Sequence, residues 1–149
     1  MSVVQQRAVS PGITRTTVAF DHVVQPSSWS ATTSPAAGLS RPMAVALSLT
    51  PDGIHAEISG ELDCSTAARL ERLFRLLEGF PRPVSVDLSG VAFTDSTGLA
   101  PLFASAARRA ASGADPIRVT QLSYASRRVL DLLSDLDDVQ LLTRVGTAR

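Results

Sequence analysis

The chain has 149 residues, 44% of them hydrophobic and 19% charged, with 14 acidic side chains balanced by 14 basic ones. That length and composition suit one folded domain of ordinary size and exclude a chain disordered throughout. Zero net charge offers no electrostatic footprint for direct nucleic-acid binding, and no apolar run approaches the ~18–20 residues of a membrane-inserted helix.

Residues 1–42 and 43–149 differ in kind. The first segment holds 18 Ser, Thr, Pro or Gly and one acid, Asp21. Its apolar residues are scattered, so its burial falls short of the entropy of ordering, and the composition predicts a disordered tail. Trp29 and His22 lie within it. From Met43 the pattern changes. Val45, Leu47 and Leu49 alternate with Ala46 and Ser48, which is strand periodicity. Thr50-Pro51-Asp52-Gly53 is a turn, and Ile54, Ala56 and Ile58 alternate with His55, Glu57 and Ser59 as the hairpin partner.

A helix is predicted over about 65–78, capped by Ser65 or Asp63. Ala67, Leu70, Phe74 and Leu77 face inward, and Arg69, Arg72, Arg75 and Glu78 face water. Val84, Val86 and Leu88 form a buried strand. A second helix covers about 97–112, with Leu99, Leu102, Phe103, Ala106 and Ala110 on its inner stripe. Ile117-Arg118-Val119 is a strand. A third helix at about 124–134 turns Val129, Leu132, Leu133 and Leu136 inward, and Val139 to Leu142 gives a last short strand. The order β-β-α-β-α-β-α-β predicts an α/β fold: a mixed, mostly parallel sheet with helices packed on it, since strands joined by helices run parallel.

The informative stretch is Asp87-Leu88-Ser89-Gly90-Val91-Ala92-Phe93-Thr94-Asp95-Ser96-Thr97-Gly98-Leu99. It reads as a buried strand, a short loop and a helix opening at Asp95-Ser96. Functional loops of open α/β sheets gather at this edge. A helix start has unpaired N–H groups and a positive dipole end, so a serine there caps the helix or carries a phosphate. Gly98 leaves room for another backbone or a ligand to approach. On residue chemistry alone, a simple N-cap is the default reading.

The stretch resembles the anti-sigma factor antagonists of the STAS family, whose pattern is Asp-Leu-Ser-x-Val-x-Phe-x-Asp-Ser-x-Gly-Leu. Gly60-Glu61-Leu62-Asp63, followed by Ala67 and Leu70, is similar to that family's strand-to-helix turn. Ser126-Arg127-Arg128-Val129-Leu130-Asp131-Leu132 is similar to its late helix. The resemblance covers about residues 43–143 and implies a STAS-like fold and a binding module, not an enzyme. It implies that an anti-sigma factor with serine kinase activity phosphorylates Ser96. The unmodified form binds that partner and frees a sigma factor, the phosphorylated form lets go, and a serine phosphatase resets it. Asp63 and Asp95, with Thr97, Gly98 and Leu99, would form the phosphosite environment and partner surface.

No catalytic residue, metal or cofactor is expected. A nucleophile elbow needs Gly two residues before the serine, where Thr94 stands, and a downstream His, whereas His22 and His55 lie upstream. Cys64, the single cysteine, excludes an internal disulfide, and a cytoplasmic location is expected. The competing reading is a non-switching STAS subunit of a lipid- or ion-transport complex, or a scaffold.

Overall fold

The computed structural model describes residues 4–8, 14–19, 41–135, 137 and 142. Its elements are β1 (Val4–Ala8), β2 (Thr14–Ala19), β3 (Ala44–Thr50), β4 (Gly53–Leu62), α1 (Cys64–Glu78), β5 (Val84–Thr94), α2 (Ser96–Ala111), β6 (Ile117–Leu122) and α3 (Tyr124–Leu132). The strands form one sheet in the order β1-β2-β3-β4-β5-β6. The first four pair antiparallel, whereas β4, β5 and β6, joined by helices, pair parallel. The mixed α/β sheet with packed helices is the one the pattern predicts, but it is not mostly parallel: three of its five pairings are antiparallel, because β1 and β2 add to the open edge of the β3–β4 hairpin.

Three local differences matter. Within the segment read as a disordered tail, Val4–Ala8 and Thr14–Ala19 are strands, with Thr17 opposite Ala46 and Val18 opposite Val45. Apolar content alone missed them. Thr14, Thr16, Thr17 and Val18 are β-branched and favour extended backbone, and the open edge of β3 supplies the hydrogen-bond partners. The remainder of that segment, with His22 and Trp29, lies outside the described residues, as does nearly all of the predicted strand from Val139 to Leu142. Of that segment only Leu142 is described, and it is buried and helical, not extended as predicted.

The second difference is the reach of β5. The stretch from Ser89 to Thr94, expected to be a loop, continues the strand. It pairs with β4 as far as Leu62 opposite Thr94, through register shifts between Glu57 and Ser59 and between Gly60 and Glu61. Val91, Phe93 and Thr94 favour strand geometry, and the irregularities turn its end.

The core lies between the sheet and the helices. Leu70, Leu73, Phe74 and Leu77 of α1, and Leu99, Leu102, Phe103 and Ala106 of α2, pack with Ile54, Ala56, Ile58, Val84, Val86 and Leu88. Each large apolar side chain buried there contributes ~1.5–3 kcal/mol before entropy is counted. The third difference concerns two charged residues. Arg109, not Ala110, continues the inner stripe of α2 and is 3% exposed. Its Nε donates to the Asp115 carbonyl at 2.6 Å and its Nη2 to the Arg82 carbonyl at 3.1 Å. Those carbonyls are why the guanidinium tolerates burial.

Glu78, read as facing water, instead joins α1 to α2. Its Oε1 accepts from Ser105 Oγ at 2.7 Å and from Arg108 Nε at 2.9 Å. Arg108 Nη2 also lies 2.8 Å from Glu78 and 3.2 Å from Glu71, as ion-pair contacts without hydrogen-bond alignment. Partial burial pushes the Glu78 carboxyl upward, but the Arg108 and Ser105 hydrogen bonds outweigh it and hold the group below its usual 4.5.

Candidate functional site

Three strand-to-helix turns sit at the C-terminal ends of the parallel strands β4, β5 and β6. Each helix begins on a side-chain cap: Asp63 for α1, Asp95 for α2 and Ser123 for α3. Such caps satisfy N–H groups that a helix start leaves without intrahelical acceptors. The first two turns are in direct contact. The Asp95 N–H donates to the Leu62 carbonyl at 3.2 Å. Gly98, three residues into the second turn, is packed so tightly that a Cβ there would lie 2.0 Å from the Leu62 oxygen and 2.7 Å from the Asp63 nitrogen. Only a glycine lets the two backbones approach this closely.

This contact makes the starts of α1 and α2 one surface. Ser96 and Thr97 are exposed on it, and so are Cys64 and Ser65. Asp63 and Asp95 are partly exposed at its base, while Gly98 and Leu99 are buried. Asp95 Oδ1 accepts from the Gly98 N–H at 2.8 Å. The N–H groups of Ser96 and Thr97, in the first turn, have no acceptor within the helix. Asp63 is more heavily engaged. Its Oδ1 accepts from Ser65 N at 2.8 Å, Ser65 Oγ at 2.6 Å and Thr66 N at 3.2 Å, while Thr66 Oγ1 takes the Asp63 N–H in a reciprocal capping box. The Ser65 hydroxyl bond, with the backbone donors, holds the Asp63 carboxyl below its usual 3.8.

The six residues singled out in the sequence therefore converge on one sheet edge. No hydrogen bond links Ser96 to Asp63 among the described residues: Asp63 joins the surface through its backbone contact with Gly98. Pro101 lies inside α2, which nevertheless begins at Ser96. Its missing N–H removes the helical donor for the Thr97 carbonyl. Thr94 is buried beneath the turn and donates its hydroxyl to the Asp95 carbonyl at 3.2 Å.

Over residues 45–143 the chain matches a family model described as "Mlab, STAS domain". The chain belongs to the STAS domain family. Among solved structures, it is similar to an anti-sigma factor antagonist from Mycobacterium paratuberculosis, at 27% identity with a TM-score of 0.56. That likeness covers 72% of this chain and 98% of the other. Comparison with curated proteins gave no match.

Sequence reasoning missed three features of this STAS surface. Phe93, three residues before Ser96, is 51% exposed because the register shift near the end of β5 turns it outward. Ser65 and Thr66 lock the Asp63 carboxylate, a pairing legible in Asp-x-Ser-Thr as a capping pattern. A close approach at Gly98 was legible in the glycine itself, but not that the approaching backbone is Leu62 and Asp63 of the neighbouring turn. Among the described residues, no group of three or more His, Cys, Asp or Glu side chains is placed to hold a metal ion, and no helix is long and apolar enough to cross a membrane.

Proposed function

We propose that this STAS domain is an anti-sigma factor antagonist switched by phosphorylation at Ser96. The unmodified form binds an anti-sigma factor with serine kinase activity and so releases a sigma factor. Phosphorylation of Ser96 ends the complex, and a serine phosphatase restores it. The observation that carries this reading is the exposed hydroxyl of Ser96 on the first turn of α2, on a surface whose two helix starts are held together at Gly98. The likeness to an anti-sigma factor antagonist supports it.

The physics of the switch follows from what surrounds the hydroxyl. A small neutral group fits under a docking protein at little cost. A phosphoserine carries ~−1.5 to −2 charges. It adds to the negative charge that Asp95 and Asp63 already give this surface, and on docking it has to be desolvated. The dipole of α2 offsets only ~1 kcal/mol of that cost. A net loss of ~3–4 kcal/mol weakens binding by two to three decades. Because Ser96 is exposed and makes no hydrogen bond to a described residue through its side chain, the same modification leaves folding nearly unchanged.

The test is incubation of the full chain with candidate anti-sigma kinases and ATP, followed by mass spectrometry of the peptide containing Ser96 and Thr97. A phosphate on Ser96 is the expected result, and its absence with every kinase, or its appearance on Thr97 alone, would overturn the assignment. The matched family model is described by a different STAS member, and that supports a second reading. In it the chain is a non-switching subunit of a lipid- or ion-transport complex, or a scaffold. Partner binding indifferent to Ser96 phosphorylation would select that reading.

A further inference from the structure

The outer face of α3 belongs to no contact described so far. Ser126 and Leu130 turn inward and are buried. On the opposite side, Tyr124 and Leu132 are 78% and 76% exposed; Leu132, which the spacing predicts to face inward, instead faces out because Ser126 and Leu130 define the buried side. They stand two turns apart, ~12 Å along the axis. Between them lie Arg127, Arg128 and Asp131, all exposed, and the five residues line a shallow concavity of ≈ 370 Å³. Arg128 reaches back to the Tyr124 hydroxyl at 3.5 Å, too long for more than a weak contact. Among the described residues, neither arginine is paired with a carboxylate.

We propose that this face docks a helix of a partner protein that carries two apolar side chains flanking one or more carboxylates. The apolar residues would cover Tyr124 and Leu132, and the carboxylates would meet the two guanidinium groups, whose charge Asp131 only half offsets. Charge complementarity selects this occupant. A second copy of the chain would bring one carboxylate, Asp131, to the two arginines and two further arginines with it, so the paired faces keep an excess of positive charge. An anionic membrane would have to accommodate Asp131 and a helix of only nine residues whose inner side is committed to the domain core. The concavity is lined by α3 residues alone, none of them in the Ser96 turn, so this docking does not rest on the phosphorylation switch.

The experiment uses the full chain and a stapled helical peptide with two leucines two turns apart and glutamates between them. A matched peptide with lysines in place of the glutamates is the control. Fluorescence anisotropy measures affinity, and amide chemical shifts locate the contact. The acidic peptide is expected to bind with shifts confined to Tyr124–Leu132. Exchanging its glutamates for lysines, or introducing Arg127→Glu with Arg128→Glu, should weaken binding by about tenfold or more, equivalent to ~1.4 kcal/mol. Leu132→Ser should weaken it as well, and Ser96→Asp should leave it unchanged. Equal affinity for both peptides, shifts centred elsewhere, co-sedimentation with phosphatidylglycerol vesicles in place of peptide binding, or self-association abolished by Leu132→Ser would each overturn the proposal.

Discussion

Replacing Gly98 with alanine probes the contact that joins the two helix starts, and the sign of the effect is diagnostic. In an unencumbered helix, Gly→Ala stabilises by up to ~1 kcal/mol, because alanine restricts the unfolded chain and favours helix. Here the new Cβ would fall 2.0 Å from the Leu62 oxygen and 2.2 Å from its carbon. Non-bonded C···O contacts rarely fall below ~3 Å, so α2 would have to move about 1 Å away from β4, against close packing. Overpacking of this kind costs ~1–3 kcal/mol. The same movement lengthens the Asp95 N–H to Leu62 bond, now 3.2 Å, at ~1 kcal/mol more. After the helix-propensity gain, the net loss is ~1–3 kcal/mol, or roughly 4–15 °C in Tm for a domain of this size. Thermal and urea denaturation of the two proteins measure it. A variant as stable as the parent, or more so, would refute the backbone contact and the single surface built on it.

Three further outcomes follow from the same geometry. Asp95→Ala removes the cap on Gly98 and is expected to cost ~1 kcal/mol in urea denaturation, whereas Asp95→Asn should retain most of that stability. Asp63→Ala should lower Tm at neutral pH. Because the folded carboxyl lies below 3.8, its contribution is complete above that value and is lost as pH falls through the lower folded pKa. The gap between variant and parent should therefore be constant at higher pH and close in acid, as a pH series of melting curves would show. Glu78→Ala leaves the buried Ser105 hydroxyl without its acceptor and Arg108 without its main partner. A loss of ~1–3 kcal/mol is expected, readable by chemical denaturation, with Ser105→Ala recovering part of it in a double-mutant cycle.

Much of the fold was legible because the buried side chains announce it through spacing. Ile54, Ala56 and Ile58 alternate along β4, and Leu70, Phe74 and Leu77 recur on one side of α1. The turn at Asp95-Ser96 was legible because a strand, a capping residue and a helical stripe follow one another without a break. What escaped depended on partners distant in sequence. The strands at Val4–Ala8 and Thr14–Ala19 are edge additions whose hydrogen bonds come ultimately from β3, and no periodicity in their own residues signals that. Ala110, and not Arg109, was expected on the inner stripe because the acceptors that let Arg109 be buried, the carbonyls of Arg82 and Asp115, are backbone groups with no sequence signature. Glu78 looked exposed because its partners lie on the next helix. The closeness of Asp63 to the Ser96 turn was implied by family resemblance, yet its physical cause, the missing side chain at Gly98, became visible only in three dimensions.

Calorimetric titration of the anti-sigma factor with the unmodified and the Ser96-phosphorylated chain measures whether one exposed hydroxyl governs attachment of the proposed partner. Affinity lower by two to three decades after phosphorylation is expected, equivalent to ~3–4 kcal/mol, with the melting temperature of the isolated chain nearly unaltered. Indistinguishable affinities, with Ser96 fully phosphorylated, would contradict it.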